Sequence, residues 1–131
     1  MKKKKGMTKK RLMGLSVYKS CGKKGETEWT WPFPIEEAWN VNYFVAKYVL
    51  PRIQAFIELE KESKYVTVPG IIHDKYGDEQ GLKCWLKYLC EMEYAFEVFS
   101  TDRFAFETDE NKERVRQGLR LFAEYYEHLW I

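Results

Sequence analysis

Apolar residues recur at helical spacing along three long stretches of this chain. In the first, Trp39, Tyr43, Ala46, Leu50, Ile53 and Ile57 form one stripe, which predicts a helix from about Ile35 to Ser63. Val41, Val45, Tyr48 and Val49 widen the stripe, and 43–50 is apolar nearly all round except for Lys47. That is the pattern of a helix packed on more than one side. Pro51 sits in its middle. It lacks a donor and its ring crowds the carbonyl four residues earlier, so a kink or break is expected near Val49–Pro51. The last turns, with Glu58, Glu60, Lys61 and Glu62, read as solvated.

The second stretch carries Leu82, Leu86, Leu89, Met92 or Glu93, Phe96 and Phe99, flanked by Trp85 and Ala95, and predicts a helix over about 79–99 with Asp78 as its N-cap. Residues 64–78 between the two read as a connection, long for a helix–helix link. In the third, Val115, Leu119, Phe122, Tyr126 and Leu129 follow at steps of 4, 3, 4 and 3, the seam of a helix beginning at Thr108 or Asp109. Lys112, Arg116, Arg120 and Glu124 line its exposed side. Upstream, the pattern switches period. Leu15, Val17 and Tyr18 precede Cys-Gly-Lys-Lys-Gly at 21–25, and Thr27, Trp29 and Trp31 alternate after it. This predicts a small β-hairpin over about 12–31, with Trp29 and Trp31 as docking residues.

The fold expected is therefore mainly α: a compact bundle of three principal helices, the first kinked or broken near Pro51, with an N-terminal hairpin. One domain over 12–131 follows a basic arm at 1–11, where like charges with nothing to bury predict disorder. Composition supports a packed body, at 45% hydrophobic and 17% aromatic. Charge changes the picture more. Residues 1–25 hold 10 Lys/Arg and no acid, while 26–131 hold 12 Lys/Arg against all 20 Asp/Glu, so the net +2 is a cancellation. Three cysteines (Cys21, Cys84, Cys90) are too few and too unevenly numbered for a disulfide scaffold. No apolar run reaches the ~20 residues of a membrane span, and the basic start lacks the apolar core of a secretory signal.

Trp31-Pro-Phe-Pro-Ile-Glu-Glu-Ala-Trp39, Ala46-Lys-Tyr-Val-Leu-Pro-Arg52 with Phe56, Trp85 and Met92-Glu-Tyr-Ala-Phe96, and Gly118-Leu-Arg-Leu-Phe122 with Tyr125, Leu129 and Trp130 follow one another in a set order. Taken together, residues 31–131 resemble small uncharacterised helical proteins of tailed bacteriophages. The resemblance implies a virus-encoded accessory protein working in the host bacterial cytoplasm, and it brings no catalytic residue with it.

The chain holds no phosphate-cradling glycine loop and no zinc-protease helix motif. With His73 and His128 alone, and cysteines on different helix faces, neither a catalytic triad nor a metal site is expected, and no cofactor is implied. His73-Asp74 is the best single acid–base candidate. A ligand site is read around His73, Lys75, Tyr76, Lys83, Trp85 and Lys87, whose cations and rings suit a small anionic or nucleotide-like molecule. Lys9, Lys10, Arg11, Lys23 and Lys24 suit nucleic acid or an acidic protein surface. The expected function is non-enzymatic: binding a host protein or sequestering a small anionic signal, in the manner of an anti-defence protein, with self-association. A nucleic-acid-binding or virion-associated structural protein is the alternative.

Overall fold

A computed structural model describes residues 18–21, 27–30, 32–63 and 67–131, the first two segments and Ser63 by backbone alone. The chain divides into two compact units, Met1–Val41 and Asn42–Ile131. In the first, Tyr18–Cys21 (β1) pairs antiparallel with Thr27–Thr30 (β2), Tyr18 opposite Thr30 and Cys21 opposite Thr27. The expected turn at 22–26, the side chains of Trp29 and Trp31, and the basic arm lie outside the described residues. Glu36–Trp39 (α1) is a single turn that follows Pro32 and Pro34.

The second unit is mainly helical. Val41–Ser63 (α2), Gly70–Ser100 (α3) and Asp109–Glu124 (α4) are its principal helices, and Phe104–Phe106 and Tyr126–His128 are short 3₁₀ turns. Of the kink or break expected at Pro51, the break does not occur: the helix runs through it without interruption. The break comes earlier, at Asn40, whose φ of −140° and ψ of 58° separate α1 from α2. A second departure lies at Gly77 inside α3, with φ 81° and ψ −169°, a region open in practice only to glycine. Residues 70–76 are thus helical and not the link expected. The helix resumes at Asp78, close to the start read from the sequence.

The core sits where α2, α3 and α4 meet. Ile53 and Ile57 of α2 pack with Ile72, Trp85, Leu89 and Met92 of α3 and Leu121 of α4. Further along, Ala95 and Val98 meet Val115, with Phe99 stacked on Phe104 at 5.0 Å. Gly118 makes the α3–α4 approach close: a Cβ there would lie 2.3 Å from the Glu91 carbonyl oxygen and 2.9 Å from the Ala95 Cβ. Arg114 then ties the same two helices, donating to both carboxylate oxygens of Glu91 at 3.0 and 3.2 Å, with its guanidinium 3.8 Å from the Tyr94 ring. Thr108 caps α4, its hydroxyl accepting from the Asn111 N–H at 3.1 Å.

Glu60 corrects one expectation. The sequence groups it with the solvated Glu58 and Lys61, yet it is fully buried and accepts a hydrogen bond from the Thr67 hydroxyl. Its phase explains this. Ile53, Ile57 and Glu60 are spaced i, i+4, i+7, so the third falls on the core face whatever its polarity.

Candidate binding surface

The described body offers a cleft of about 250 Å³ lined by Val49, Arg52, Ile53 and Phe56 of α2, Phe122 of α4 and Leu129. Helical spacing places the α2 residues on one side: 49, 53 and 56 recur at steps of 4 and 3. Phe122 forms the opposite wall. It is held edge-on between Phe96, at 4.8 Å between centroids, and Tyr126, at 5.5 Å. Arg52 brings the cation. Its guanidinium lies 3.7 Å over the Tyr48 ring and donates to the Tyr48 carbonyl oxygen at 2.8 Å. A stacked, hydrogen-bonded arginine is held in place while staying open to solvent.

A second cleft of about 240 Å³ lies between Thr67–Gly70 and His128 with Trp130. Leu129 faces the first cleft while His128 and Trp130 line the second, so this short stretch serves both. Tyr126 and Trp130 stand exposed beside them. Both clefts are smaller than the roughly 300–1,000 Å³ of ordinary small-molecule sites. A single large side chain of a protein partner fits such a volume, and a nucleotide does not fit comfortably.

The ligand site read from the sequence is not assembled as expected. Trp85 is fully buried in the core and has no face to offer a ligand, so its stacking role is withdrawn. Lys83 and Lys87 are exposed, each about 200° around α3 from Trp85, on the side away from the core. His73, Lys75 and Tyr76 lie on the helical turn before Gly77, all solvent-exposed. His73 pairs with Asp78 across the Gly77 kink, Nε2 to Oδ1 at 2.5 Å, rather than with its neighbour Asp74. Lys75 lies 5.2 Å from the Tyr76 ring. Lys9, Lys10, Arg11, Lys23 and Lys24 lie outside the described residues.

One polar cluster was not foreseen. The Tyr88 hydroxyl is pushed up to about 12, first by its hydrogen bond with Cys84 and then by burial. Tyr125, its ring tilted 32° to that of Tyr88 at 5.5 Å and 5.5 Å edge-on to Trp85, is also raised, chiefly by burial. Steps of four (84, 88) carried that signal in the sequence. Read from the sequence, Cys84 is an unreactive thiol on a different helix face from Cys90, with no hydrogen bond assigned to it.

Among the described residues, no group of three or more His, Cys, Asp or Glu is placed to hold a metal ion. No described helix is long and apolar enough to cross a membrane. Comparison with protein-family models, curated proteins and solved structures found no match.

Proposed function

We propose that this chain is a non-enzymatic accessory protein, of the kind tailed bacteriophages encode, that works in the host bacterial cytoplasm by gripping another protein. The cleft between α2 and Phe122 carries the reading. Its walls are apolar, its rim holds one fixed cation at Arg52, and its volume suits one inserted side chain. A partner segment with a leucine- or phenylalanine-sized residue beside a carboxylate has the complementary chemistry. The resemblance of residues 31–131 to phage proteins supports the setting, and countering a host defence is the use such a grip would serve.

The test is affinity capture from bacterial lysate with the wild-type chain and with Arg52→Glu and Tyr126→Lys. Both side chains are solvent-exposed, so neither change opens the core. The partner should be lost from each variant and recovered with Arg52→Lys in part. An identical captured set from all variants would overturn the reading.

A second reading attaches to the N-terminal arm: its ten cations in 25 residues, with no acid among them, favour a polyanion. It predicts binding to nucleic acid independent of the cleft.

A further inference from the structure

The loop between α3 and α4 presents one bare ring on a stiff mount. Phe106 is 88% exposed, more than any other large apolar side chain among the described residues. Its neighbours are fixed. Phe104 stacks on Phe99 at 5.0 Å and packs against the Ala95, Val98 and Val115 cluster. Arg103 donates to the Glu107 carboxylate at 2.9 Å and to the Thr101 hydroxyl at 2.6 Å. Asn111 donates to the other Glu107 oxygen at 3.1 Å. The Phe106 N–H closes the turn on the Arg103 carbonyl at 3.0 Å. A ring held in water by an ordered loop has little backbone entropy left to lose when it enters a pocket.

We propose, resting on the reading of the α2–Phe122 cleft as a grip for one side chain, that a second copy of this chain supplies the occupant: Phe106 of one copy inserts head-to-tail into the cleft of the next. Size fits. The cleft of about 250 Å³ is walled by Val49, Ile53, Phe56, Phe122 and Leu129, and a ring can meet Phe122 there. Charge fits as well. Asp102, Asp109 and Glu110 are exposed within four residues of Phe106. Of the cations nearby, Arg103 is taken up by Glu97 and Glu107, and Lys112 and Arg116 turn to the Phe104 ring, each 5.7 Å from its centroid. The cleft rim holds Arg52, and residues 48–56 around it include no acid. Glu124 lies about 200° around α4 from Phe122, away from the cleft. Glu127 pairs with His128 at 3.6 Å, and His128 lines the other cleft. An acidic tip thus meets a basic rim.

One chain cannot make this contact with itself. Phe106 precedes the first turn of α4, and Phe122 lies about 20 Å further along that helix at 1.5 Å per residue. Ring and cleft therefore sit towards opposite ends of α4, and a copy that inserts its ring leaves its own cleft open to another. Such a heterologous contact builds rings or open chains rather than stopping at a symmetric pair. A single ring and a rim cation make a small interface, so the assembly should dissociate on dilution.

Sedimentation equilibrium of the purified full chain tests this. The wild type should rise from 15.8 kDa to twice that mass and beyond as concentration increases. Phe106→Asp should weaken association by roughly 30-fold or more, the loss typical of a central anchor. Arg52→Glu should weaken it about tenfold by setting acid against acid. Both positions are exposed, so far-ultraviolet dichroism should not change. At a concentration where neither variant associates alone, their mixture should form a one-to-one dimer and nothing larger. There the Phe106 ring of the Arg52→Glu chain meets the intact cleft of the Phe106→Asp chain, and the remaining ring and cleft are both disabled. A wild type monomeric at every concentration overturns the proposal, as does a Phe106→Asp chain that associates like wild type, or a mixture that forms no dimer. Lysate capture separates this from the host-partner reading. A monomeric wild type whose capture still depends on Arg52 sinks the self-association and leaves that reading standing. Self-association as described, with an identical captured set from all variants, does the reverse.

Discussion

At the scale of single residues, Tyr88 shows how a side chain's surroundings become a measurable property. Its hydroxyl holds its proton up to about 12 because Cys84 bonds to it and burial disfavours the phenolate. In the unfolded chain the group titrates near ~10. Between those values the native state keeps a proton that the unfolded state has lost. The stabilisation is therefore complete below the unfolded value and disappears as pH rises through the native one. Urea unfolding should show stability falling from about pH 10 upward, and, with Tyr125 also delayed, tyrosine absorbance should show a late Tyr88 ionisation. Cys84→Ala removes the leading cause and should move that ionisation back toward ~10. An unchanged titration would show that burial alone sets it. The same scale shows what the sequence hides. Trp85 has the composition of a ligand-stacking residue, and nothing in one sequence distinguishes an indole facing a ligand from one facing Tyr125. Glu60 is the converse: the phase with Ile53 and Ile57 was legible, and its polarity overrode it.

Among the elements, the α3–α4 crossing is the most constrained. Gly118 sits where the Glu91 carbonyl leaves no room for a methyl group. Gly118→Ala must push α4 off α3, against the Arg114–Glu91 fork and the Val115 contact, so the usual helix-propensity gain from alanine is outweighed. Overpacking of this kind costs roughly 1–3 kcal/mol, to be read as a lower midpoint in denaturant unfolding. Stability equal to wild type would mean the helices part without cost. The seam read from the sequence placed Leu119 and Phe122 inward. The buried residues of α4 are Val115, Gly118 and Leu121, a face turned slightly around the helix because a glycine contributes nothing to a hydrophobic count. Helix existence was readable for all three stretches. At Pro51 the helix continues and tolerates the missing donor, so of the kink or break expected only the break is excluded; the boundary failed at residues 70–76. There Pro69 and Gly70 looked like loop signals and instead open a helical turn, with the His73 N–H donating to the Pro69 carbonyl at 3.0 Å.

On the scale of the whole molecule, the division of charge separates two kinds of binding that composition alone merges. Residues 26–131 carry 20 acids against 12 bases, so any polyanion is repelled by most of the chain and attracted only by its first 25 residues. Each phosphate that a lysine or arginine neutralises releases a counterion, and affinity falls with salt in proportion to the number of contacts. Fluorescence anisotropy with a short labelled duplex should therefore show binding by the full chain that collapses between about 50 and 200 mM salt. Deleting residues 1–25 should abolish it. On the proposed reading the truncated chain should still capture its protein partner, because Arg52, Ile53, Phe56, Phe122 and Leu129, which line the cleft, all lie outside the deleted residues. Salt-insensitive duplex binding, or binding that survives the deletion, would place nucleic-acid recognition in the body and make the arm incidental. Loss of partner capture on deletion would instead join the arm to the protein grip, with acidic patches on the partner as its target.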